Sequence, residues 1–223
     1  MVEEATVSQP RKLALFWKIL FAALTLAATV TELLDGCSFL SSLWVVKHVG
    51  LGLAAVGFFL LEKRVGWVFC TVGFAVFSGV HFFLALAQFV AIPITISSMG
   101  RGVDETFAWF TVGEYAECVY LLLIAVASLL CATGVSKPSK EKKKAAMILS
   151  CVAVTFVAAA WLLLRAYHIS YLENYVGGDS AWGFFGGQNE IAFRMIAYLV
   201  WSFCVVLANF TLLRERKESK AGE

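Results

Sequence analysis

Two carboxylates inside one long apolar segment are the residues best placed to do chemistry. The segment runs from Phe107 to Cys131, is long enough to cross a bilayer, and carries Glu114 and Glu117 in its first half. Residues three apart lie on one face of a helix, so we expect both acids to point the same way. A charge at membrane depth costs about 2.5–3.5 kcal/mol on the insertion scale and needs partners. Both acids are therefore candidates for binding a solute or a proton.

Basic and imidazole side chains in the other apolar segments could meet these acids at the same depth. Lysine or arginine would pair with a carboxylate, and histidine could exchange protons near neutral pH. The candidate solute- or proton-binding residues are Glu114, Glu117, His81, Lys47, His48, Arg165 and Arg194. The same charges could instead be architectural, because an internal ion pair can fix helix packing without any ligand. We interpret the tryptophans, Trp201 among them, as interface anchors or packing residues.

Composition excludes a soluble domain and gives no sign of a metal or cofactor site. Sixty per cent of the 223 residues are apolar and 15 per cent are charged, against about 25 per cent charged in ordinary soluble domains. The six cysteines form no CxxC pair and lie mostly in apolar runs, where they act as small hydrophobic residues. Nucleophile elbows, HExxH and phosphate-binding glycine loops are missing from the sequence. We therefore assign no catalytic residue, no metal ligand and no cofactor.

Six apolar segments predict an all-α fold, a polytopic membrane bundle of six transmembrane helices. The transmembrane domain covers residues 13–213, between a polar tail at 1–12 and a charged tail at 214–223. The predicted spans are approximately 13–34, 43–61, 65–92, 107–131, 145–168 and 189–213. Pro93 is expected to end the third span. Gly50, Ala54 and Gly57 predict close helix packing along the second span.

The distribution of lysine and arginine predicts which side each loop faces. Thirteen of these residues lie in the two tails, the 62–64 turn and the 134–144 loop, whereas the three alternate loops hold only Arg101. Basic loops stay in the cytoplasm, so both termini are predicted to be cytoplasmic. This topology puts nearly all the ionisable residues of the spans in the outer half, which indicates a bundle hydrated from outside and closed by apolar packing inside.

The leading functional hypothesis is a small channel or transporter for a polar or ionic solute, coupled to protons through Glu114, Glu117 or His81. One alternative is a non-catalytic accessory or scaffold subunit of a larger membrane complex. Another is an intramembrane lipid-modifying enzyme, although the sequence favours a protein that is not an enzyme. The expected partners are the lipid bilayer, a small polar or ionic solute, and other membrane subunits or further copies of the chain. Nucleic acid is not expected, and the sequence leaves open which membrane holds the protein.

Overall fold

The computed structural model describes residues 4–34, 42–61, 64–98, 106–136, 139–171 and 195–209, and these form six helices. The helices are α1 (Glu4–Leu34), α2 (Ser42–Phe59), α3 (Arg64–Ser98), α4 (Thr106–Ser136), α5 (Lys140–Tyr171) and α6 (Met195–Asn209). The prediction of an all-α fold is confirmed. Helices α3, α4 and α5 are long and apolar enough to cross a membrane, and α1, α2 and α6 contain shorter apolar stretches.

Helices α1 to α5 pack in sequence, each against the next one in the chain, and contacts between neighbours show that they run in opposite directions. Between α3 and α4, the Ser78 hydroxyl donates to the Ala125 carbonyl, whereas Gln88, farther along α3, reaches back to Glu114. Later residues of one helix thus meet earlier residues of the next. This up-and-down order is the one that predicted spans joined by short loops require.

Glycines allow α2 and α3 to approach until their backbones touch. A Cβ atom on Gly73 would lie 2.5 Å from the Gly50 carbonyl oxygen and 2.6 Å from the Ala54 nitrogen. A Cβ atom on Gly57 would lie 2.6 Å from the Cys70 backbone nitrogen. Real Cβ atoms do not come so close, so α2 and α3 can pack at this distance only because these positions are glycine. Close packing along α2, predicted from its small residues, is confirmed.

Two apolar clusters form the interior, and α6 contributes to both. One cluster surrounds Trp201, and the other surrounds Phe21, Phe58 and Phe74. Outside these clusters, every helix exposes large apolar side chains on the surface of the bundle. One from each helix in order is Phe16, Val49, Phe83, Val112, Leu162 and Phe203.

Helix α3 does not end at Pro93 but continues to Ser98. Proline lacks the N–H that would bond the Phe89 carbonyl one turn earlier, which is why the sequence predicts an end there. Beyond it, the Thr95 hydroxyl donates to the Ala91 carbonyl at 3.1 Å. Side-chain hydroxyls of this kind help long apolar helices to tolerate an internal proline.

Three other helices, α1, α4 and α5, also extend past the predicted apolar spans. Helix α1 begins at Glu4, inside the stretch 1–12 interpreted as a polar tail, and α4 and α5 each extend beyond their predicted span at both ends. Apolar run length indicates where lipid could contact the chain, whereas helical hydrogen bonding continues into polar residues. Of the sixth span predicted at 189–213, the stretches 189–194 and 210–213 lie outside the described residues, as does most of the loop before it.

Candidate functional site

A buried group of polar and aromatic side chains lies where α2, α3, α4 and α6 meet, and we call it the polar cluster. Its members are Lys47, His48, His81, Glu117, Tyr120, Tyr198 and Trp201. His81 is the middle residue of α3, and Tyr120 lies next to the middle of α4. These members of the polar cluster are therefore half-way along α3 and α4, whereas the sequence interpretation placed the ionisable groups of the spans in the outer half.

Trp201 is the centre of the polar cluster and is fully buried. The ring centroids of Phe77, His81 and Tyr198 lie 5.8, 4.9 and 5.2 Å from the Trp201 ring. The ammonium group of Lys47, a residue only 3% exposed, lies 4.0 Å above the Trp201 ring centroid. The indole face thus supplies a cation–π contact that compensates part of the cost of burying the charge.

Two tyrosines connect Glu117 of α4 to α6. The Tyr198 hydroxyl donates to Glu117 Oε1 at 2.7 Å, and the Tyr120 hydroxyl donates to the Tyr198 carbonyl at 2.8 Å. The two tyrosine rings stack with centroids 4.6 Å apart. Glu117 is only 2% exposed, so its carboxyl group is held inside the protein by a neighbouring helix.

His81 and Trp201 each present a buried polar atom that makes no hydrogen bond within the described residues, His81 Nε2 and Trp201 Nε1. His81 Nδ1 lies 2.8 Å from the Phe77 carbonyl oxygen. A carbonyl only accepts, so Nδ1 carries a proton and, in the neutral ring, Nε2 is an acceptor. Trp201 Nε1 is a donor. Leaving a buried polar atom unsatisfied costs about 1–3 kcal/mol, so a new hydrogen bond to either atom would be stabilising.

Glu114 and Glu117 do not share one set of partners. Glu114 is half-buried, and Gln88 Nε2 of α3 donates to Glu114 Oε2 at 3.1 Å. Glu117, one turn later, is bonded to α6 through Tyr198. The expectation that both acids point the same way is met only loosely, because each contacts a different helix.

Of the remaining candidates, His48 lies at the edge of the polar cluster and Arg165 lies on α5. His48 is half-buried, with Nδ1 2.9 Å from the Thr29 hydroxyl of α1. The Arg165 guanidinium lies 5.3 Å above the ring centroid of Trp161, on its own helix α5. Arg194 lies outside the described residues. The structure thus brings together Lys47, His48, His81 and Glu117.

Sequence reasoning missed the aromatic part of the site. Tyr120 follows Glu117 by three residues and so shares its helix face. Tyr198 and Trp201 are also three apart, on α6. An aromatic pair at this spacing could have pointed to the site, but aromatic residues are frequent in apolar helices and the pattern alone is weak.

The structure therefore shows an all-helical bundle with an apolar surface and a polar cluster inside. Among the residues it describes, no three His, Cys, Asp or Glu side chains are grouped so that they could hold a metal ion. Comparison of the chain with protein families, with curated proteins and with solved structures finds no match.

Proposed function

We propose that the chain is a six-span membrane protein, with both termini cytoplasmic, that moves a small polar or ionic solute across the bilayer. The polar cluster is its binding site. The observation that carries the proposal is the buried donor and acceptor pair, Trp201 Nε1 and His81 Nε2, beside Lys47 and Glu117. A solute group that bonds both atoms would satisfy them.

The distribution of polarity supports insertion in a membrane. On α3 alone, the side chains of Phe83, Phe89 and Val90 are 55%, 57% and 61% exposed. Soluble proteins rarely expose large contiguous apolar surfaces. Here the apolar residues face outward and ionisable residues are buried, which is the arrangement that lipid as a solvent favours. The excess of Lys and Arg in alternate loops supports the orientation.

The depth of the polar cluster supports transport rather than surface binding. Substrate sites of secondary transporters lie near the middle of the bilayer, where access can alternate between the two sides. His81 lies in the middle of α3, and Lys47 and Glu117 provide groups that can carry opposite charges near it. A site with both signs of charge and an aromatic face suits a small zwitterion or a polar solute. Glu117 is the group that would exchange a proton during transport.

One observation favours a scaffold role as the second candidate. The bonds from Tyr198 to Glu117 and from Tyr120 to the Tyr198 carbonyl tie α4 to α6. The same bonds would give a non-catalytic subunit a fixed helix arrangement for partner docking. A scaffold would show no flux of its own, so transport measurements separate the two candidates.

The test replaces Trp201 with Phe, which removes the indole N–H and keeps an aromatic face for Lys47. We expect about tenfold weaker apparent affinity for the solute, the effect of losing roughly one hydrogen bond. The unfolding midpoint should fall, because the smaller ring leaves a cavity at a fully buried position. The lost indole N–H adds nothing to that cost, since it makes no hydrogen bond within the described residues.

Flux is measured with liposomes that contain a pH-sensitive dye and receive choline chloride, potassium gluconate or glycine in turn. These probes represent a cation, an anion and a zwitterion, and protein-free liposomes give the background. Trp67→Phe is the matched control, since Trp67 is partly buried against the other apolar cluster. No response above background to any probe, or unchanged affinity in Trp201→Phe, would contradict the proposal.

A further inference from the structure

The N-terminal part of α5 carries a surface groove of about 460 Å³. The residues that line it form two adjacent rows along α5, and within each row successive residues are four apart in sequence. The lining residues are Lys140, Lys143, Lys144, Met147, Ile148, Cys151 and Val152. From residue 140 to residue 152 the helix rises about 18 Å.

The groove is basic at one end and apolar along the rest. Its three lysines lie at the start of α5, and the four residues that follow them along the groove have no charge. Lys140 and Lys144 are exposed, and Ile148 is 51% exposed. An anionic phospholipid has a matching arrangement over a similar length, with a negatively charged phosphate at one end and apolar acyl chains below it.

The helix end itself favours an anion at the same place. Ser139 caps α5, with the Glu141 backbone nitrogen donating to its hydroxyl at 3.2 Å. The positive end of the helix dipole therefore lies beside the lysines, and lysines three and four residues apart repel one another. A bound phosphate would offset both effects. Glu141, the acid in the first turn, is exposed and does not line the groove.

We propose that this groove binds one anionic phospholipid from the leaflet at the N-terminal end of α5. Lys140, Lys143 and Lys144 hold the phosphate, and an acyl chain lies along Ile148 and Cys151. The proposal rests on the proposed membrane insertion and is independent of transport by the polar cluster. The order of residues agrees with that insertion, because the lysines directly precede the apolar part of α5.

Cys151 provides a reporter inside the groove. It is exposed, whereas the other cysteines within the described residues are buried. Cys37 lies outside the described residues, so the test uses a Cys37→Ser background. Cys151 is labelled with the small fluorophore bimane, and the protein is reconstituted in phosphatidylcholine. Brominated phosphatidylglycerol and brominated phosphatidylcholine are then compared as quenchers at equal mole fractions.

We expect stronger quenching by the anionic lipid. Lys144→Gln should lower its apparent affinity about fivefold. Lys142→Gln is the matched control, because it removes the same charge from the same stretch but does not line the groove. The control should keep the preference for phosphatidylglycerol.

Three results would overturn the proposal, and they are distinguishable. An equal loss of preference in both variants would show general attraction to surface charge. Equal quenching by the two lipids would show insertion without a lipid site. No quenching by either lipid would show that Cys151 does not face a bilayer, and the proposed membrane function would fail as well.

Discussion

Lys47 shows how this protein holds a charge away from water. A lysine inside a spanning helix costs up to about 2.5–3.5 kcal/mol on the insertion scale, the value for the helix centre. A desolvated cation–π contact contributes about 2 kcal/mol or more, and the Lys47 ammonium lies 4.0 Å above the Trp201 ring centroid. The two magnitudes are comparable, so the aromatic face offsets much of the cost of the buried charge.

Tyr198→Phe should destabilise the protein by about 1–2 kcal/mol. The change removes the hydroxyl that donates to Glu117 Oε1 at 2.7 Å, and hydrogen bonds inside membrane bundles contribute up to about this amount. Urea or thermal unfolding in detergent measures it. Tyr115→Phe is the control, because the Tyr115 ring packs on Phe89 from a half-buried position. Equal losses in the two variants would contradict the role given to the Tyr198 hydroxyl.

The charged members of the polar cluster could be predicted from sequence, but its aromatic members could not. Lys47, His81 and Glu117 can be identified from the sequence, because an ionisable residue is rare within an apolar segment. Trp201 and Tyr198 are ordinary residues for such a segment. Their importance comes from which helices they face, and that depends on tertiary packing.

At the scale of the elements, the pairing of α2 with α3 rests on shape more than on polarity. Small residues let two helices associate through close van der Waals contact. Gly50, Gly57 and Gly73 provide that contact here. The pair in turn positions Lys47 of α2 and His81 of α3 next to Trp201.

Gly73→Ala should destabilise the bundle by about 1–3 kcal/mol, the usual cost of inserting a methyl group into a well-packed interface. The new Cβ atom would lie 2.5 Å from a backbone oxygen, which cannot move as a side chain can. Gly79→Ala on the same helix is the control, because nothing lies within 4 Å of its Cβ position. The midpoint of unfolding in detergent reports both. A Gly73→Ala protein as stable as the control would contradict the close contact.

The number of helices could be predicted because each apolar segment of sufficient length can be recognised in the sequence itself. Helix ends were less predictable. Pro93 is a local signal for termination, yet α3 continues to Ser98. A proline removes one backbone hydrogen bond, and the remaining bonds and apolar surroundings decide whether the helix resumes beyond it.

At the scale of the whole molecule, Glu114 and Glu117 explain why the site could be predicted only in part. Side chains three residues apart on a helix differ in direction by about 60° around the helix axis. That angle lets the two acids share a face and still meet different neighbours, α3 for Glu114 and α6 for Glu117. Sequence spacing indicated the shared face, but only the packed bundle shows that Glu117 is bonded to Tyr198 of α6.

The most direct test of the central claim compares Glu117→Gln with Glu114→Gln in liposomes. Both changes remove a charge and keep size and hydrogen bonding, so Glu114→Gln is the matched control. If the polar cluster carries the solute and its proton, Glu117→Gln abolishes the pH dependence of flux while the protein stays folded, and Glu114→Gln retains it. Unchanged pH-dependent flux in both variants, with lowered thermal stability in Glu117→Gln, would contradict the account and favour a scaffold role.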